Sequence, residues 1–389
     1  MRYDAVMKKT QHENSALELL GGMTAEEFLR DYWQKKPLLI RNAIPGFCGL
    51  LSPEELAGLA CEEGVQSRLV SHRRTKWQVE EGPFDEARFL KLPDRNWTLL
   101  VQDVNHHLDE ADALLRRFSF IPYARLDDLM VSYAPDGGGV GPHFDSYDVF
   151  LLQGQGKRLW RVSEQQDLTL VPDAPLRILQ NFEAQQEWLL EPSDMLYLPP
   201  HVAHWGIAVG DCMTYSIGFR APSAQELVSE FLNYLQEKSS AVGMYADPDL
   251  RPHPHPAEMG ESMLQQVAAM LQELQWDKQD VCRFLGQYLS SPKSYVMFDQ
   301  PAFMPEKVFR KRLQDEGIWL TRKSQLLYHG ENLFLNGEEV QPGNEGRELR
   351  QLANDRRLPA GSGASDPLVK MLYAWYLDGY CSFPTNSHA

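Results

Sequence analysis

Two short strings carry side chains able to share a metal ion. Gly141-Pro142-His143-Phe144-Asp145-Ser146-Tyr147 sets an imidazole and a carboxylate two residues apart. In an extended strand alternate residues project from one face, so His143 and Asp145 would stand about 6–7 Å apart, close enough to hold one ion. A second string, Tyr197-Leu198-Pro199-Pro200-His201-Val202-Ala203-His204-Trp205, brings His204 in 61 residues after His143. Two imidazoles and one carboxylate on one face of a metal leave the opposite positions open, the donor set of non-haem iron(II) oxygenases. A bare His-x-Asp is common. Here a Gly-rich turn precedes it, a strand-like run follows, and a Pro-Pro turn introduces the later histidine. His201 competes as third ligand, but it follows Pro199-Pro200 directly, whereas His204 can begin the next strand.

Parity extends the set. If the strand from His143 stays regular, Tyr147 shares the metal face while Asp148 and Phe150 face away; in Met213–Phe219, Thr214 and Ser216 share a face. In Lys157-Arg158-Leu159-Trp160 the two cations point to opposite faces, and periodicity leaves open which one enters the interior. An inward cation beside a metal needs an anionic partner, because an unpaired buried charge is prohibitive. A dicarboxylate co-substrate provides one.

The elements that must position these residues follow from local signals. Thr24 caps a helix carrying Phe28, Tyr32 and Trp33, and Pro37 separates it from a strand at Leu38-Leu39-Ile40. Ser52-Pro53-Glu54-Glu55 is a capping box with proline in the first turn, predicting a short helix to about Cys61. From 68 to 222 short alternating runs dominate: Lys76–Glu80, Asp128–Tyr133, Tyr147–Gln153, Lys157–Ser163, Asp194–Leu198 and Met213–Phe219. Asp136-Gly137-Gly138-Gly139 and Gly154-Gln155-Gly156 are expected as turns between them, since neither opens a helix as a phosphate loop must. Many short strands in this span predict a sandwich or jelly-roll barrel. After Pro222 two apolar stripes predict helices, one with Leu227, Phe231, Leu232 and Leu235, the other with Val267, Met270, Leu271 and Leu274. The Pro-rich stretch between them contains His253 and His255, which polyproline geometry holds apart as linker residues rather than ligands. From about 293, a helix (Lys307–Glu316), a hairpin (Leu326–Tyr328 and Leu333–Leu335, turned by His329–Asn332) and a last helix (Pro367–Tyr376) predict a winged-helix-like unit.

Composition bounds the function. The 389 residues are 43% apolar and 24% charged, near globular averages, which excludes a fibrous or wholly disordered chain. A formal charge of −16 is the wrong sign for sequence-independent nucleic-acid binding and suits a basic partner. Direct DNA binding is not expected, because the arginines of the last unit (Arg347, Arg350, Arg356, Arg357) are interleaved with Glu338, Glu339, Glu345, Glu348 and Asp355. Five cysteines without a Cys-x-x-Cys pair fit a reducing cytoplasm. No apolar leader in Met1–Leu20 and no apolar run of membrane-spanning length is read, so no membrane association is expected.

At the metal-binding strings the sequence resembles the JmjC family of 2-oxoglutarate- and iron(II)-dependent oxygenases. Within it, the chain is similar to the bacterial ribosomal oxygenases that hydroxylate an arginine of large-subunit ribosomal protein sixteen. The resemblance runs through Tyr32–Leu38, Ser67–His72, Lys76–Val79, Gly138–Phe150 and Tyr215–Pro222. It implies that His143, Asp145 and His204 hold iron(II), and that Arg158, where the wider family often has lysine, pairs with the distal carboxylate of 2-oxoglutarate. Thr214 is expected to join Arg158 in the co-substrate pocket. It further implies that Asp128, Tyr147 and Ser216 receive the substrate arginine, which is hydroxylated at the β-carbon with dioxygen as the second co-substrate. The implied architecture is mainly β: a cupin-like double-stranded β-helix, or jelly-roll, over 1–222, a helical dimerisation region over 223–292 and a winged-helix-like domain over 293–389. A basic ribosomal protein is then the expected substrate and a homodimer the expected assembly. Two alternatives stand beside it: an oxygenase of the same fold acting on histidine or lysine, and a non-catalytic metal-binding barrel serving as a scaffold.

Overall fold

The structure, a computed structural model, describes residues 15–73, 76–238, 244–252 and 254–384; residues 1–14 and His253 lie outside the described residues. The chain divides into two compact units, one up to Ala221 together with Tyr295–Met297, the other Pro222–Ser294 with the chain from Phe298 onward.

Capping decides where the first helices begin. In α1 (Ala25–Asp31) the Thr24 hydroxyl accepts the Glu27 N–H while the Glu27 carboxylate accepts the Thr24 N–H, and α2 (Pro53–Leu59) repeats the reciprocal pair with Ser52 and Glu55. Together with α3 (Asp109–Arg116) they bury Phe28, Leu56, Leu114 and Leu115 in a common core with the sheet.

The strands are β1 (Leu38–Ile40), β2 (Ser67–Arg73), β3 (Lys76–Glu81), β4 (Trp97–Val101), β5 (Leu126–Ala134), β6 (Val149–Ser163), β7 (Gln186–Leu190), β8 (Met195–Leu198) and β9 (Ala203–Phe219). They pair antiparallel in the order β1-β8-β6-β9-β5-β4-β2-β3, with β7 on β6. The long strands make the roll: β6 pairs with β8 over Val149–Leu152 and with β7 over Arg158–Val162, and with β9 along both halves. Both halves of β6 supply the inner cluster, Val149 and Leu151 meeting Trp160, Val162, Leu190, Leu196 and Leu198. Phe150 and Leu152 face the other way, into the helix-covered core. This is the expected cupin-like jelly-roll with helical additions.

Two expectations are corrected. Tyr147–Gln153 and Lys157–Ser163 are one strand, starting at Val149, and Gly154-Gln155-Gly156 is no turn but a pair of bulges, with register shifts on either side of Gln155. Gly156 has φ +60, and a Cβ on it would lie 1.9 Å from the Asp211 carbonyl oxygen, so only glycine lets the strands approach there. Likewise the strand expected at Met213–Phe219 extends back to Ala203.

The second unit begins with α4 (Ala224–Lys238), α5 (Glu261–Gln272) and α6 (Lys278–Ser290). Phe231 of α4 packs on Phe284 of α6 with ring centroids 5.3 Å apart. Beyond them come α7 (Glu306–Glu316), β10 (Ile318–Leu320), the meander β11 (Leu326–His329), β12 (Asn332–Leu335) and β13 (Glu338–Val340), α8 (Gly346–Asp355), β14 (Arg357–Leu358), α9 (Asp366–Leu377) and β15 (Cys381–Ser382). Phe309, Leu313, Leu333, Leu349 and Leu372 form its core. The hairpin is tighter than expected: His329 pairs with Asn332, leaving Gly330-Glu331 as the turn.

Candidate metal centre

His143 and Asp145 do not lie in a regular strand. Gly141 has φ +83 and Pro142 lacks a backbone donor, so ladder pairing fails before His143. A single bridge replaces it: the His143 N–H donates to the His204 carbonyl at 2.9 Å and the His204 N–H returns to the His143 carbonyl at 2.8 Å. This exchange ties the loop to the first turn of β9 and sets the two rings 4.2 Å apart. Two residues on, the Asp145 carbonyl accepts the His201 N–H at 2.8 Å.

The outcome is the triad expected from spacing, reached by a different backbone path. Ligand atoms of His143, Asp145 and His204 all lie within 4.8 Å of one another. Asp145 Oδ2 is 3.6 Å from His204 Nε2 and 4.0 Å from His143 Nε2. His201 contributes its backbone, at φ +65, and its exposed side chain is not in the group. Each ligand imidazole is oriented from behind, Nδ1 of His143 on the Gly141 carbonyl at 3.0 Å and Nδ1 of His204 on the Val202 carbonyl at 2.9 Å. A carbonyl only accepts, so Nδ1 carries the hydrogen and Nε2 is the ring atom turned toward Asp145. Burial, followed by the neighbouring His143, pulls the His204 pKa down to about 4, and that keeps this ring neutral.

The walls follow from register. His204, Gly206 and Ala208 of β9 pair with Val162, Trp160 and Arg158 of β6, so Arg158 stands on the same side of the ladder as His204. The bulges at 154–156 switch parity: inward residues are odd-numbered before them (Val149, Leu151) and even-numbered after (Trp160, Val162), which turns Arg158 inward. Arg158 is 5% exposed, and its Nε and Nη2 are buried with no hydrogen-bond partner among the described residues. Lys157 points out and pairs with Glu191 at 2.5 Å. Farther along the roll, Ser132 pairs with Thr214 and Met130 with Ser216, while Thr214 Oγ1 donates to Gln153 Oε1 at 3.0 Å. Thr214, Ser216 and Asp128 are all buried. Tyr147 is 42% exposed. Desolvation, then the Asp145 and Asp128 carboxylates, holds that phenol above its ordinary pKa. Asp148 turns away, accepting from the Tyr197 hydroxyl at 2.6 Å and Gln34 at 2.9 Å.

Ser132 and Gln153, buried on this polar face, were not singled out from the sequence. The signal was available: Ser132 is four residues beyond Asp128 on one strand, and Gln153 continues the alternation Val149, Leu151.

A JmjC domain profile matches residues 113–227 and a ROXA-like winged-helix profile matches 273–382. The ribosomal protein uL16 3-hydroxylase of Escherichia coli K12 is 37% identical over 364 residues, covering 92% of this chain and 97% of that protein. This chain belongs to the JmjC ribosomal oxygenase family. A solved structure of the ribosomal oxygenase YcfD from Escherichia coli, in complex with cobalt and 2-oxoglutarate, is 37% identical, with a TM-score of 0.79, and covers 92% of this chain and 98% of that one. A probable ribosomal oxygenase of Haemophilus influenzae is 43% identical over 210 residues, 53% of this chain and 52% of that protein. As a member of the ribosomal oxygenase family, the chain is an enzyme, an oxygenase, and its His143, Asp145 and His204 form a cluster able to hold a metal ion. The winged-helix match starts at 273 and so takes in α6, which lies within the helical region expected over 223–292. Among the described residues no helix is long and apolar enough to cross a membrane.

Proposed function

We propose that this chain hydroxylates an arginine side chain, at the β-carbon, of a large-subunit ribosomal protein, using iron(II), 2-oxoglutarate and dioxygen. The observation that carries the reading is Arg158, a buried cation with two unpartnered N–H groups on the face that holds His204. A buried guanidinium is prohibitively costly without an anion, and its fork matches a carboxylate. The donor set fits the metal as well: two imidazoles oriented by backbone carbonyls and one carboxylate suit a divalent iron and leave coordination positions for a bidentate co-substrate.

In this mechanism His143, Asp145 and His204 hold the metal, while Arg158 and Thr214 hold 2-oxoglutarate. Iron(II), when bound with 2-oxoglutarate and dioxygen, supplies the oxidising power that hydroxylates an unactivated C–H bond. The remaining work is positioning. Asp128 offers a carboxylate to the guanidinium, Tyr147 an aromatic wall beside it, and Ser216 a neighbouring hydroxyl on the same inner face. The related uL16 3-hydroxylase of Escherichia coli and the −16 charge both support a basic ribosomal protein as substrate.

A homodimer and a cytoplasmic location belong to the same proposal. Val228 and Leu232 on α4 and Leu264, Val267, Met270 and Leu271 on α5 are exposed, an apolar surface suited to a second copy. All five cysteines are free thiols, which suits a reducing compartment.

Arginine, lysine and histidine versions of one basic peptide, incubated with enzyme, iron(II) and 2-oxoglutarate, test the substrate assignment. The arginine version alone is expected to gain one oxygen by mass, since an ammonium cannot make a forked contact. Equal hydroxylation of all three, or preference for histidine, overturns it.

A further inference from the structure

Behind Asp128 lies a buried polar group with no role in the chemistry above. The pairing of β5 with β9 is interrupted between Leu126 and Leu129, so Asp127 and Asp128 fall outside the regular ladder. The turn Asp103–Asn105 fills the gap. Its Asp103 N–H donates to Asp128 Oδ2 at 3.2 Å, and Asn105 Oδ1 accepts the Leu129 N–H at 2.8 Å. Asp103 is 3% exposed and takes a left-handed conformation, φ +52, which aspartate tolerates but does not prefer. Its carboxylate accepts the hydroxyl of Tyr295 at 2.5 Å, across 192 residues of sequence, and lies 3.9 Å from His106 Nδ1. On the other side of Asp128, a Cβ on Gly218 would come within 3.1 Å of Oδ1, so glycine keeps that oxygen uncrowded.

We propose that Asp103 and Tyr295 are positioning residues for arginine recognition. Tyr295 fixes the Asp103 side chain and so stabilises its left-handed backbone. That conformation aims the Asp103 amide at Oδ2, which sets the rotation of the Asp128 carboxylate and presents Oδ1 over Gly218. A carboxylate free to rotate would lose the planar match that a guanidinium fork requires. The inference rests on the assignment of Asp128 to the substrate arginine.

The test measures peptide affinity of the metal-free protein by fluorescence anisotropy, with peptide and 2-oxoglutarate KM values, in wild type and Asp128→Ala, Tyr295→Phe, Asp103→Ala and Asp103→Gly. Tyr295→Phe is expected to weaken peptide binding about three- to tenfold, as loss of one hydrogen bond to a charged group allows, without changing the KM for 2-oxoglutarate. Asp103→Ala should lose more than Asp103→Gly, because glycine adopts positive φ without cost from a Cβ. If Asp128→Ala weakens the peptide but Tyr295→Phe and Asp103→Ala leave it within about twofold, the inference falls and the Asp128 assignment stands. Equal losses for peptide and 2-oxoglutarate, with a lower Tm, reduce Tyr295 to a structural role and overturn the inference too. If Asp128→Ala itself changes nothing, the assignment fails and the inference with it.

Discussion

The two ends of one strand face hold their polar side chains in opposite ways. At the His204 end every ligand imidazole is satisfied from behind by a backbone carbonyl, and the loop and strand exchange both backbone hydrogen bonds. Four residues along the ladder, Arg158 is equally buried, yet two of its donors meet nothing among the described residues. The first end is organised before any ligand arrives, so its geometry is part of the fold. The second has no acceptor from the fold among the described residues, and in the proposed function 2-oxoglutarate would supply it. A site that keeps a metal and exchanges a small co-substrate at every turnover is served by that division.

The sharpest way to break this comparison is at the preorganised end. His204→Ala, His143→Ala or Asp145→Ala should each lower peptide hydroxylation by more than about a hundredfold, beyond what losing a supporting partner costs. Iron(II) affinity should fall in parallel while the circular dichroism spectrum stays native. His201→Asn is the matched control, because asparagine tolerates the φ of +65 and keeps the backbone N–H that His201 contributes. Near-normal activity in His204→Ala with loss in His201→Asn would move the third ligand.

At the unsatisfied end, Arg158→Ala should raise the 2-oxoglutarate requirement by about two orders of magnitude, the cost of stripping one partner from a buried charge pair. Lys157→Ala removes an exposed pair with Glu191 and should change it by less than about twofold. Titration of 2-oxoglutarate against both variants reads this directly. Equal effects of the two substitutions would mean that the parity switch at Gly154–Gly156 does not select the inward cation.

The same contrast explains what was legible in the sequence. The N-cap at Thr24 and the capping box at Ser52 are local chemistry, and both helices begin where those residues place them. The triad was legible as a set of residue types and spacings, although its path was not: Gly141 and Pro142 prevent the regular strand that the spacing argument assumed, and a two-bond bridge to His204 restores the geometry. The choice between Lys157 and Arg158 was not legible from periodicity, because alternation counts residues and a bulge inserts one. Gly154 and Gly156 looked like turn residues for the reason that they permit the bulges: Gly156 has a positive φ and approaches the Asp211 carbonyl, and Gly154 leaves room for the Tyr215 ring. The Asp103–Tyr295 contact spans 192 residues and left no periodic trace at all.

At the preorganised end the metal-free protein should also show a dependence of stability on pH. His204 has its pKa lowered from 6.5 to about 4, chiefly by burial, so in the metal-free protein its ring stays neutral where the unfolded chain would take up a proton. Between about pH 4 and 6.5 the unfolded state therefore binds more protons than the native state, and stability rises with pH across that window. The contribution is complete above 6.5 and is lost as pH falls toward 4, at about 1.4 kcal/mol per pH unit. Urea unfolding of metal-free wild type and His204→Gln at several pH values reads it, because subtracting the variant cancels every titrating group that does not interact with His204, leaving that ring with His143 and Asp145. The difference should climb with pH through the window and level off above it. A difference that is flat across the window would mean that the His204 ring is solvated in the metal-free state, and the preorganisation drawn from its buried hydrogen bond to Val202 would fail.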